Sequence, residues 1–200
     1  MSRRLRYQVA ASLDGFIADT NGGYDWIVGD PAIDFEALYA EFDAAVMGRK
    51  TYELVASQSG GDALPGLEAI AFSRSLPRTT QRGVRVTDED PVGVVRALKT
   101  KKGRDIWLFG GGALFRTLLD AGLVDTVEIA VMPVLLGAGI PVLPPGTAVK
   151  LVLHDQKTLP RSGIVLLAYT VSGGARRPLR IRYVRSRPPR KKAPKARRRR

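Results

Sequence analysis

Cysteine is absent from this chain and histidine occurs once. Disulfides and thiolate metal sites are thereby excluded, no metal is expected, and the composition fits a cytoplasmic protein. Long apolar runs are missing too: none approaches the roughly 18 residues that span a membrane. The N-terminus carries Arg3 and Arg4 without an apolar h-region or a small-residue cleavage site, so no signal peptide is expected. Acidic residues are missing from one part of the chain. From residue 173 onward there are 14 Lys or Arg and no Asp or Glu, whereas residues 1–172 hold 18 basic and 19 acidic residues. The net charge of +13 therefore belongs to a polycationic tail attached to a near-neutral body.

What is present is an apolar fraction of 44%, enough to build a core. Apolar, β-branched runs predict strands over 5–11, 44–48, 68–74, 83–87 and 105–110, with a short extended piece at 16–18. Helical spacing is read from Asp34 through Phe35, Leu38, Tyr39 and Phe42, and again after Gly48, after Asp90-Pro91 and over 112–121. Lys99, Lys101 and Lys102 crowd the C-terminal end of the third of these helices, where the helix dipole favours cations. In "TVEIAVMPVLLG", Val127, Ile129 and Val131 share one face of a strand, and Pro133 predicts a bulge or an edge position. "VKLVLHDQ" and "GIVLLAYTV" read as a closing hairpin. The pattern predicts a three-layer α/β/α domain over 1–171, with a mostly parallel central sheet and a C-terminal antiparallel hairpin. Residues 172–200, rich in Pro and Arg and poor in apolar surface, read as a disordered basic tail.

Three strand ends carry residues suited to an anionic ligand. Gly110, Gly111 and Gly112 lie between "DIWLF" and a helix start, where backbone amides point at oxygens. The stretch is neither a Rossmann fingerprint, since Phe115 stands where the last glycine belongs, nor a P-loop. On their own the glycines make a tight turn as readily as a binding site. "MGRKTYE" places Gly48, Arg49, Lys50 and Thr51 at a second such junction, and an ordinary capped helix start explains it equally well. Ser73 and Arg74 mark a third. In an open parallel sheet these ends gather on one edge, and one elongated phosphate-bearing cofactor accounts for all three together.

Taken in order, "VAASLDGFIA", "VMGRKTYE", "FSRSLP", "WLFGGGALFRTLLDAGLVD" and "VMPVLLGAGIPVL" resemble the dihydrofolate-reductase-like superfamily. They are most similar to the riboflavin-biosynthesis reductase (RibD C-terminal) domain family, and the resemblance covers about residues 5–171. It implies an NADPH cofactor. Ala10 and Ala11 are implied to contact the nicotinamide carboxamide, and Ile17 to pack on its ring. Gly48, Arg49, Lys50 and Thr51 are implied to hold the pyrophosphate and 2′-phosphate side, and Ser73 and Arg74 the adenosine end. Gly110, Gly111, Gly112, Ala113 and Leu114 are implied to meet the pyrophosphate and nicotinamide ribose. The cations favour NADPH over NADH.

The implied reaction is hydride transfer to an imine-like carbon of a pyrimidine or pteridine precursor, of the 5-amino-6-(5-phosphoribosylamino)uracil reductase type. Departures qualify the substrate: Gly110 stands where riboflavin-pathway reductases carry Glu, and Asp25-Trp26 replaces the Pro-Trp of dihydrofolate reductases. No zinc-ligand His and Cys of a deaminase domain are present, so any deaminase step is expected elsewhere. Asp25, Trp26 and Asp34 are candidates for the substrate pocket. Asp34 is also the candidate catalytic carboxylate, although its position suits a helix N-cap better. Asp14 reads as a turn residue, Tyr52 as core, His154 as exposed, and Glu128, on the non-core face of its strand, has no assigned role. The alternatives are an orphan reductase of this fold and a non-catalytic NADPH-binding protein. The "VMPVLLGAGIP" segment suggests a homodimer contact. The tail is expected to bind nucleic acid without sequence preference.

Overall fold

The computed structural model describes residues 3–57 and 64–172. Residues 58–63 of the Gly/Ser-rich loop, and the expected tail from residue 173, lie outside the described residues. No helix among the described residues is long and apolar enough to cross a membrane.

The elements run β1 (Leu5–Ser12), β2 (Phe16–Ala18), α1 (Phe35–Tyr39), β3 (Phe42–Gly48), α2 (Arg49–Ser57) and β4 (Glu68–Phe72). They continue with β5 (Thr79–Gln81), β6 (Val84–Thr87), α3 (Pro91–Thr100), β7 (Asp105–Gly110) and α4 (Gly112–Asp120). The chain closes with β8 (Thr126–Met132), β9 (Ile140–Pro141), β10 (Leu151–Leu159) and β11 (Ile164–Val171). Nine strands form one sheet in the order β10-β11-β8-β1-β7-β3-β4-β6-β5. The six from β8 to β6 are mutually parallel, and β11, β10 and β5 are antiparallel additions. β2 and β9 pair antiparallel as a separate two-stranded sheet.

Strand alternation explains the layers. Leu5, Tyr7, Ala44, Val46 and Ile70 face α3 and α4, whose Val95, Leu98, Leu114 and Leu118 complete that core. Ala45, Met47, Ala69 and Ala71 face the opposite side, against Leu38 of α1 and Tyr52 of α2. Tyr7 stacks on Phe115 with ring centroids 3.7 Å apart, tying the central strand to α4. Asp90 caps α3 by accepting from the amides of Val92 and Gly93, with Pro91 in the first turn as expected.

The structure corrects several boundaries. Phe42 does not extend the first helix: α1 stops at Tyr39, and Phe42 opens β3 fully buried. Its ring packs on Trp107 and lies 4.7 Å from the Arg6 guanidinium. β4 ends at Phe72, because the Ser73 hydroxyl turns the chain by accepting from the amides of Ser75 and Leu76. β8 neither bulges at Pro133 nor lies at an edge; it stops at Met132 and is flanked by β1 and β11. Strand β5 has too little apolar character to be read from sequence. It pairs with β6 through Arg82 and Gly83, both at positive φ.

Candidate active site

The C-terminal ends of β1, β3, β7 and β8 open into a cleft of about 1360 Å3. Its size suits a dinucleotide together with a small substrate, being larger than the roughly 300–1,000 Å3 of a single drug-sized site. Two strand–helix junctions form one wall. At the β7–α4 junction each glycine has its own physical reason. A Cβ on Gly110 would lie 3.0 Å from Thr51 Oγ1, and one on Gly112 would lie 2.9 Å from the Pro141 carbonyl oxygen. Gly111 has φ +94°, a conformation that disfavours any side chain. As N-cap of α4, Gly111 has no side chain to satisfy the first-turn amides, and Gly112, Ala113 and Leu114 border the cleft.

The β3–α2 junction lies beside it. Gly48, Arg49, Lys50 and Thr51 all border the same cleft. Arg49 is exposed, pairs with Glu53 at 3.6 Å and donates to Ser75 Oγ at 3.1 Å. Lys50 is exposed at the start of α2. Ala10 and Ile17 border the cleft from β1 and β2. These residues, which the sequence named for one cofactor, are therefore brought together.

Others are not. Ala11 is buried and does not border the cleft. Ser73 is buried in its own turn and Arg74 is exposed outside the lining; their turn meets the cleft rim through the Ser75–Arg49 hydrogen bond. Asp25 is exposed and does not reach the cleft. Trp26 packs against Met132, Leu159 and Ile164, with its Nε1 donating to the Gly23 carbonyl. Neighbouring Tyr24 and Ile27 border the cleft instead. Asp34 caps α1, accepting from the Ala37 amide at 2.9 Å, and is not part of the cleft wall.

The cleft floor was missed by sequence reading. Arg6, Gln8 and Ala10 alternate along β1 on the face opposite Tyr7, beside Glu128 and Ala130 of β8. Glu128, read on the non-core face of its strand and given no role, is buried. Arg6 binds it twice, Nε to Oε1 at 2.8 Å and Nη2 to Oε2 at 2.7 Å, and also pairs with Glu41. Burial works against the Arg6 charge, but the hydrogen bonds and attraction of Glu128 and Glu41 outweigh it and raise its pKa. Tyr39, Trp107 and Phe109 line the cleft next to this floor, with Trp107 meeting Phe109 edge-on at 4.5 Å. Polar residues at alternate positions of an otherwise apolar first strand were the available signal.

Asp14 lies outside the cleft lining. Its carboxylate accepts from the Ser12 hydroxyl and from the amides of Leu136 and Gly137, joining the β1–β2 turn to the loop after β8. The Ser12 hydrogen bond holds its pKa below the ordinary carboxylate value, against desolvation and with the two amides reinforcing it.

Comparison with known proteins places this geometry. The model of the RibD C-terminal domain matches residues 65–166. The uncharacterised protein YyaP of Bacillus subtilis is 30% identical over 183 residues, covering 86% of this chain and 96% of that protein. A crystal structure of a protein assigned to riboflavin biosynthesis in Shewanella sp. PV-4 superposes with a TM-score of 0.73 at 24% identity, covering 86% of this chain and 99% of that one. Dihydrofolate reductase from Enterococcus faecalis, solved in complex with NADP(H), superposes with a TM-score of 0.62 at 17% identity, over 86% and 99% of the two chains. The architecture is thus dihydrofolate-reductase-like, and by the domain match, which spans half of the chain, the chain belongs to the RibD C-terminal domain family.

Proposed function

We propose that this protein is an NADPH-dependent reductase of a pyrimidine or pteridine precursor, of the 5-amino-6-(5-phosphoribosylamino)uracil reductase type. One observation carries the reading: the β3–α2 and β7–α4 junctions stand side by side on one cleft, with cations on the first and uncapped amides on the second. A phosphate chain fits there, since the first-turn amides of α4 have no side-chain cap and border the cleft beside Arg49 and Lys50. Arg49 and Lys50 suit the 2′-phosphate of NADPH. NADPH-type binding by the Enterococcus dihydrofolate reductase, on the same fold, supports the choice.

When bound, NADPH supplies a hydride from nicotinamide C4. The chain contributes orientation and exclusion of water. Ala10 and Ile17 flank the position of the nicotinamide, and the wall of Tyr39, Trp107 and Phe109 receives a flat ring beside it. Glu41 and Glu128 are both engaged by Arg6, so the accompanying proton is assigned to solvent rather than to either carboxylate. Asp34, occupied as a cap, has no part in the reaction.

Loss of NADPH absorbance, with the phosphoribosylaminopyrimidine precursor and dihydrofolate offered separately, tests the reading. Turnover of the former places the protein in riboflavin synthesis despite Gly110. Tight NADPH binding without turnover of either favours the orphan-reductase or non-catalytic alternatives.

We also propose a homodimer. Beyond the expected 131–141 segment, of which Leu135 is strongly exposed, the edge strand β10 presents Leu151, Val152 and Leu153 to solvent. An apolar edge with unpaired backbone groups is a template for a second strand.

A further inference from the structure

The cleft floor contains a side-chain amide whose direction is dictated by its neighbours. Gln8 Nε2 donates to Glu128 Oε2 at 3.0 Å. The remaining donors around Glu128 are Arg6 Nε and Thr126 Oγ1 on Oε1, and Arg6 Nη2 on Oε2. Both oxygens of the carboxylate therefore accept two hydrogen bonds. An ionised carboxylate has no proton to donate, so it fixes the NH2 end of Gln8 toward itself and the carbonyl end away. Gln8 Oε1 is buried and has no hydrogen-bond partner, while the residue borders the cleft. A buried acceptor left unpaired is unfavourable and gains when a donor arrives. The terminal torsion of glutamine is broad, so the oxygen is free to turn toward a donor arriving in the cleft that the residue borders.

Resting on the reductase reading above, we propose that Gln8 determines which ring the cleft accepts, taking a ring N–H of a neutral flat heterocycle on its carboxamide oxygen. Glu128 and Arg6 act as positioning residues that hold this polarity. The walls agree with a flat ligand, because Tyr39, Trp107 and Phe109 stand beside the floor. The charges agree with a neutral one. Each carboxylate bordering the cleft is paired: Glu41 and Glu128 with Arg6, and Glu53 with Arg49. None is left to hold a protonated ring. A ring bearing a lactam N–H fits this floor, and a basic diaminopyrimidine does not.

Isothermal titration of the full chain with 5,6-diaminouracil and, separately, with 2,4-diaminopyrimidine tests this. The wild type is expected to bind the uracil ring at least tenfold more tightly. Gln8→Met, close in size but without the amide, is expected to lose about tenfold on the uracil ring. Glu128→Gln is expected to lose the preference between the two rings with Gln8 still present, because an amide at 128 no longer dictates the direction of Gln8. A purely structural role would change both affinities alike. Unchanged uracil binding by Gln8→Met, a wild-type preference for the diaminopyrimidine, or binding of neither ring each overturns the inference. NADPH affinity is titrated in the same samples: its absence sinks the cofactor reading alone, and its presence without Gln8-dependent ring binding sinks the present inference alone.

Discussion

Gly48 and Gly111 meet across the boundary between two strand–helix junctions: a Cβ built on Gly111 would lie 3.7 Å from the Gly48 Cα. The two loops that face the proposed pyrophosphate are therefore braced against each other by backbone. Gly111→Ala places a side chain at φ +94° and is expected to cost about 1–3 kcal/mol in stability. Gly112→Val pushes a branched side chain against the Pro141 carbonyl and is expected to weaken NADPH binding more than Gly111→Ala does. Thermal unfolding and NADPH titration of both variants check this, and equal NADPH affinity in all three proteins contradicts it.

The cations at the start of α2 are exposed, so their removal should affect the ligand more than the fold. Arg49→Ala with Lys50→Ala is expected to weaken NADPH roughly tenfold or more, since hydrogen bonds to charged groups contribute about 1.5–3 kcal/mol. NADH affinity is expected to stay as it was. A parallel loss for both nucleotides would mean that these side chains do not read the 2′-phosphate.

Arg6 and Glu128 form a buried pair, and breaking it strands a charge. Glu128→Ala is expected to destabilise the domain by about 3–5 kcal/mol, moderated by the remaining Arg6 pairing with Glu41. Urea unfolding monitored by tryptophan fluorescence measures the difference.

Asp14 contributes to stability through its charged form. Its folded pKa is depressed, so the contribution is complete above the unfolded value of about 3.9 and is lost as pH falls through the lower folded value. Protection of the Leu136 and Gly137 amides, as exchange relative to the intrinsic rate at each pH, is expected to fall across that acidic window. Asp14→Asn, which lacks the titration, is expected to show faster exchange at neutral pH and no such step.

The proposed dimer is checked by light scattering. Val152→Lys introduces charge on the exposed edge strand without touching the core, and is expected to shift a dimeric mass toward the monomer. A wild-type monomer at micromolar concentration removes the proposal.

Periodicity was sufficient wherever one face of an element is dry and the other wet. β1, α3, α4 and the β10–β11 hairpin follow from it, and the edge of an open parallel sheet groups Gly48 with Gly110. For Asp34 the sequence favoured a cap but kept a catalytic carboxylate open, and the structure has it capping α1. Adjacency across the sheet is a different kind of information. The sequence separates Arg6 from Glu128 by 122 positions, and only the parallel pairing of β1 with β8 makes them one ion pair. The same pairing turns Gln8, an unremarkable polar residue in a strand, into an oriented amide on the cleft floor. Tertiary packing likewise removed Trp26 and Ser73 from the site, because a large aromatic is drawn into the nearest apolar cluster and a serine hydroxyl into its own turn. What the amino-acid order determined by itself was the layered α/β fold and the glycine-rich junctions; which polar groups share the buried floor was decided by strand register, where pairing residues far apart in the chain fixes the partners of charges that cannot be buried alone.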